Sequence, residues 1–101
     1  MKTFRSYDLA VQFYKACQGL KLTNPIRSQF ERALLSIPLN LREGYGRSTL
    51  KDQQRFFTIA FGSIREIQAI FDLMEPAPSA ELVEKLDHLA ACVYKLSRWR
   101  S

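Results

Sequence analysis

Apolar residues recur on a helical beat in four stretches, separated by segments rich in polar residues, proline or glycine. In the first, Leu9, Phe13, Ala16, Cys17 and Leu20 share one face of a helix predicted from about Tyr7 to Leu20. Ser6 is placed to cap it, Asp8 falls in its positive first turn, and Gly19 lies near its end. The second opens with Asn24 as N-cap and Pro25 at the first helical position, where a missing N–H costs nothing. Its period runs through Ile26, Phe30, Ala33, Leu34, Ile37 and Leu41. Pro38 removes a backbone bond and pushes away the Leu34 carbonyl, so a kink or a break is expected near Leu34–Ile37. The in-phase return of Leu41 favours the kink.

The third helix begins at Ser48 or Thr49, with Thr49 and Asp52 at capping-box spacing, and continues to about Met74. The segment EPAPS stops it and Ser79 caps the fourth, whose inner face is Leu82, Leu86, Leu89, Val93 and Leu96, with Val83 and Ala90 beside them. No strand-like alternation is long enough to compete. Short connections between such helices favour an up-down-up-down topology. The expected fold is thus all-α: one domain over residues 1–101, an antiparallel four-helix bundle with a kinked second helix.

One apolar stripe is all a bundle helix needs, and the third has a surplus. At about 100° per residue, Phe56, Phe57, Ala60, Ser63, Ile64, Ile67, Ile70, Phe71 and Met74 fill its inner face. Ile59 and Leu73 fall on a flank with Gly62 and Ala69, Phe61 lies beyond the opposite edge, and Leu35 and Leu39 point away from the stripe of the second helix. Scattered exposed apolar residues are normal on any protein. A bundle, however, cannot bury both sides of a helix, so a homo-oligomer is expected. Leu35, Leu39, Ile59, Gly62, Ala69 and Leu73 are its interface candidates.

Charge adds a second expectation. The net +5 sits in residues 1–48, where eight Lys/Arg face three Asp/Glu, while the remainder balances. A one-sided positive excess suits a polyanionic partner, though it is also common on plain soluble domains. The opening MKTFRSYDL lacks an apolar h-region and no run is long enough to span a bilayer, so a cytoplasmic location without a membrane partner is expected. Cys17 and Cys92 have no C-x-x-C spacing, and His88 is the only histidine. Glu84 precedes it by four residues rather than the three of a di-iron motif. No metal, no cofactor and no catalytic residues are therefore expected, and the chain is read as a non-enzyme.

The basic residues crowd into IPLNLREGYGRSTLKDQQRFF, residues 37–57. Read as a turn, Gly44 takes positive φ as a C-cap, Gly46 permits a second tight step, and Ser48 or Thr49 restarts a helix. Asn40 bonds the loop and Glu43 pairs with Arg47. This reading takes the larger share, leaving over the density of arginine. A secondary role is phosphate contact: backbone N–H groups at the start of the third helix, with Arg47, Lys51 and Arg55 near them and Tyr45 free to stack on a base.

SIPLNLREGYGRS followed by KDQQRFFTIAFGSIREI resembles the signature of the small bacterial four-helix-bundle proteins encoded in intervening sequences of 23S rRNA genes. Asn40, Glu43, Gly44, Gly46, Arg47 and Ser48 match its turn; Ala60, Gly62, Ser63 and Glu66 match the helix that follows; YDLAVQFY is similar to the family's first helix. Arg42 stands where a small residue is more usual, and the FFTIAF run is unusually aromatic. The resemblance implies a ring-like homo-oligomer, a pentamer. It also implies kinship with the accessory variability determinant proteins of diversity-generating retroelements, basic bundles that bind nucleic acid and a reverse transcriptase.

Two functions follow as expectations. The first is a non-catalytic oligomeric protein that contacts RNA or DNA phosphates through Arg27, Arg32, Arg42, Arg47, Lys51 and Arg55. The second is a protein-interaction scaffold, for example an accessory subunit of a reverse transcriptase.

Overall fold

A computed structural model describes residues 4–98. They form four helices, α1 (Arg5–Ala16), α2 (Ile26–Tyr45), α3 (Leu50–Leu73) and α4 (Ala80–Arg98), with no strand among the described residues. Each helix packs on two neighbours: α2 on α1 and α3, and α4 on α1 and α3. The assembly is 43 Å long and 24 by 19 Å across. At about 1.5 Å per residue α3 covers most of that length, so it is the spine on which the others register.

The predicted stripes converge on one core in which Phe13, Ile37, Leu41, Ile64, Ile67, Leu86, Leu89 and Val93 are almost wholly removed from water. Two caps fall where the sequence puts them. Thr49 Oγ1 accepts from the Asp52 N–H at 3.1 Å, and Ser79 Oγ accepts from the Leu82 N–H at 3.2 Å, each satisfying a donor that the helix cannot.

The first two helices begin differently from expectation. Helix α1 starts at Arg5, so Ser6 is not its cap; Ser6 lies inside the helix, buried, and a side-chain hydrogen bond joins it to Tyr45. The buried face becomes Ser6, Ala10, Phe13 and Cys17, while Ala16 is exposed. The helix also stops short of Leu20; Gly19 beyond its end carries the only positive φ among the described residues, 99°. At α2, Pro25 occupies the cap position and Asn24 instead accepts from the Ser28 hydroxyl at 3.2 Å. Helix α2 continues through Pro38 without a break, although the proline leaves the Leu34 carbonyl without its i+4 donor.

Two contacts set α3 against α2. The Ser63 hydroxyl donates to Ser36 Oγ at 2.8 Å, and Gly44 lies against the Phe57 ring. Residue numbers rise along α2 as they fall along α3, so this pair is antiparallel. Asn40, expected to bond the loop, instead donates from Nδ2 to the Ser36 carbonyl and to Ser36 Oγ, both at 2.9 Å. A small polar cluster thus ties the half-buried seam between the two helices.

Gly44 is a correction as well. It lies within α2 and has no positive φ; neither does Gly46, the C-cap, with φ −87°. A Cβ on Gly44 would sit 2.6 Å from Phe57 Cε1, 2.9 Å from Cδ1 and 3.2 Å from the Phe56 Cβ. The glycine is required by the approach of a neighbouring helix, not by a turn.

Candidate nucleic-acid interface

The α2–α3 turn is short, and its shape follows from local bonds. The Gly46 and Arg47 N–H groups donate to the Glu43 and Gly44 carbonyls, each at 3.1 Å, before exposed Ser48 and the Thr49 cap start α3. Arg47 Nη2 pairs with Glu43 Oε2 at 2.6 Å, and the Gln53 side-chain amide donates to the Arg47 carbonyl at 3.2 Å. These bonds set the position from which Arg47 projects.

Arg47 and Arg55 meet at one ring. Their guanidinium carbons lie 4.7 and 4.8 Å from the centroid of Phe56. Phe56, which the helical period assigns to the core, is only half-buried and serves as a platform between two cations. The stacking partner was missed because periodicity fixes a direction on one helix and cannot see the turn that folds back beside it. Exposed Lys51 lies one turn before Arg55.

Charges here are partly spent on the fold. Glu43 neutralises Arg47, whose Nε is buried without an acceptor, and Asp52 occupies the positive first turn of α3. An incoming phosphate therefore finds Lys51 and Arg55 more available than Arg47.

The remaining candidates are placed elsewhere. Arg42 is exposed on the α1 side of α2, its guanidinium 5.4 Å from the Tyr7 ring centroid. Arg27 pairs with Glu31 at 3.1 Å near the opposite end of α2, about 27 Å from the turn by helical rise. Exposed Arg32 is on the far half of the same helix. Arg27 and Arg32 do not join the cluster at the turn.

Tyr45, expected to be free to stack on a base, is instead half-buried against two rings. Its ring packs between Phe4 and Phe57, with centroid distances of 4.9 and 5.2 Å, and burial pushes its hydroxyl above the ordinary pKa. It plugs the end of the core instead.

The interface candidates are exposed, Leu35 by 47%, Leu39 by 58%, Ile59 by 46% and Leu73 by 69%. Gly62 and Ala69 are exposed beside them. The Ser36–Ser63 bond places Leu39 and Ile59 one turn away in the same direction, so they share a level on the α2/α3 face. Leu35 lies one turn from Leu39 on the same side of α2, whereas Leu73 is at the far end of α3. Leu35 lines a cavity of about 320 Å³ with Tyr14 and Leu20, and Leu73 lines a groove of about 560 Å³ with Leu22, Ile26 and Pro78.

Other chemistry is sparse. Arg5 Nη2 lies 3.3 Å from His88 Nε2; a guanidinium can only donate, so the ring nitrogen accepts. Burial pushes the Cys17 thiol up to about 12, and both cysteines are free. Among the described residues no three His, Cys, Asp or Glu side chains are grouped to hold a metal, and no helix is long and apolar enough to cross a membrane.

A family model described as 23S rRNA-intervening sequence protein matches residues 3–97. No curated protein and no solved structure matches the chain.

Proposed function

Because the chain belongs to the 23S rRNA-intervening sequence protein family, we propose that it is an oligomeric, non-catalytic accessory protein that binds RNA or DNA through phosphate contacts. The observation that carries this reading is the pair Arg47 and Arg55 on one half-buried ring, with Lys51 a turn away. Cations held in place by a ring lose less freedom on meeting a phosphate than cations on free stems.

The rest of the proposal is an up-down-up-down bundle with α2 kinked at Pro38, working in the cytoplasm. It forms a ring-like homo-oligomer, a pentamer, closed by the apolar surface that includes Leu39 and Ile59. Kinship with the accessory variability determinants of diversity-generating retroelements belongs to the same reading. A second function is favoured by that exposed apolar surface: a scaffold whose partner is another protein, such as a reverse transcriptase.

Titration of a structured RNA separates the two functions. Wild type and a Lys51→Glu, Arg55→Glu variant, which leaves the Glu43–Arg47 pair intact, are compared at low and moderate salt. Each phosphate contact contributes a log–log salt slope of roughly −0.7 to −0.9, so the variant should bind more weakly and with a shallower slope. Equal, salt-insensitive binding by both proteins would sink the nucleic-acid reading.

A further inference from the structure

Folding sorts the charges by position along the bundle. The half nearest the α2–α3 turn comprises residues 4–10, 36–61 and 90–98, and holds seven Lys/Arg against three Asp/Glu. The other half, residues 11–35 and 62–89, holds six against seven. One pole is therefore +4 and the other −1 over the described residues. This division is absent from the sequence order, because Lys95 and Arg98 reach the basic pole from the far end of the chain.

Aromatic contacts divide the same way. Among the described residues, all four guanidinium–ring stacks lie in the basic half. They are Arg42 on Tyr7 at 5.4 Å, Arg47 and Arg55 on Phe56 at 4.7 and 4.8 Å, and Arg98 on Tyr94 at 5.0 Å. The first lies on the α1/α2 side, the Phe56 pair on the α2/α3 side, and Tyr94, itself packed on Phe61 at 5.4 Å, on the α3/α4 side. Five of the seven cations at this pole are arginines.

We infer that this pole takes single-stranded nucleic acid in preference to duplex, its cations meeting phosphates and the exposed faces of its ring-backed guanidiniums also meeting unpaired bases. The inference rests on the nucleic-acid reading above and adds the class of strand. A duplex offers this surface mainly phosphates, for which flexible lysines suffice, since its bases are already stacked on one another. Flat guanidiniums held against rings offer something else, a planar cationic face on which an unstacked base can lie. Three such platforms on three sides of one pole fit a strand that wraps the end of the bundle.

Anisotropy titrations with a labelled single-stranded RNA of about 12 nucleotides, within the site sizes such surfaces take, and with a blunt duplex of equal length test it. The single strand should bind wild type more tightly than the duplex at the same salt. Phe56→Leu and Tyr94→Leu, which keep apolar bulk but remove the ring, should each weaken single-strand binding by about fivefold or more and duplex binding by clearly less. Tyr94 is 46% exposed on α4, so its variant gives a reading even if Phe56→Leu fails to fold. Equal or tighter duplex binding, lost in the Lys51→Glu, Arg55→Glu variant, would overturn the strand preference and leave the nucleic-acid reading standing. Binding of neither probe in a salt-dependent way would overturn both.

Discussion

Two glycine-to-alanine substitutions, one helix apart, measure how closely α2 approaches α3. Gly62, in the middle of α3, has nothing within 4 Å of an added Cβ and is exposed. Alanine there should stabilise the helix by about 1 kcal/mol, because it removes the conformational freedom glycine keeps in the unfolded chain. Gly44, also inside a helix, gains the same term. It loses another, because its Cβ would be 2.6 Å from the Phe57 ring, about 0.8 Å inside the 3.4 Å at which ordinary contact begins. The Phe57 ring is buried, with only 4% exposed, and Tyr45 packs against it at 5.2 Å, so it has little room to retreat. Overpacking of this kind costs about 1–3 kcal/mol. Gly44→Ala should therefore be neutral to about 2 kcal/mol destabilising, and should fall about 1–3 kcal/mol below Gly62→Ala. For a domain of this size that separation is roughly 4–20 °C in Tm. Urea unfolding followed by circular dichroism at 222 nm gives the two values, repeated at two protein concentrations so that any association is separated from folding. Equal stabilisation by both substitutions would show that the helices do not approach as closely as the Gly44–Phe57 geometry requires.

Three further outcomes follow from single features. Ser63→Ala removes the hydroxyl bond across the α2/α3 seam and should cost about 1 kcal/mol in the same unfolding assay, with no loss of helix content. Cys17 is held neutral by burial, its pKa raised from 9.0 to about 12. Between those values the native state binds the proton that the unfolded state has lost, so stability falls as pH rises through pH 9–12; below pH 9 the contribution is complete. The slope is on the order of 1 kcal/mol per pH unit, and Cys17→Ala should flatten it in alkaline unfolding curves. Leu39→Glu with Ile59→Glu should lower the mass seen by sedimentation at micromolar concentration; a wild type that already sediments as one chain rejects the oligomer.

How much was legible follows the range of the interactions. Helical periodicity is a property of neighbours three and four apart, so the four helices, the caps at Thr49 and Ser79, most of the core and the outward direction of Leu39, Ile59 and Leu73 could be read from the chain. The Glu43–Arg47 pair was equally local, four residues apart across the end of α2. Errors arose where a residue's role depends on a different helix. Ser6 looks like a cap until Tyr45 is brought against it, and Tyr45 looks free until Phe4 and Phe57 pack against its ring; Asn40, whose partner Ser36 is four residues back on its own helix, was a local misreading instead.

The sequence by itself determined that this chain makes helices and which sides of them shed water, because both depend on spacing along one segment. Only the tertiary structure decided that Gly44 is empty space for the Phe57 ring, that Phe56 is a seat for two arginines, and that Arg98 shares a pole with Arg42. Those assignments depend on which helix lies beside which and at what level. Packing between distant segments sets that register, and no local pattern carries it.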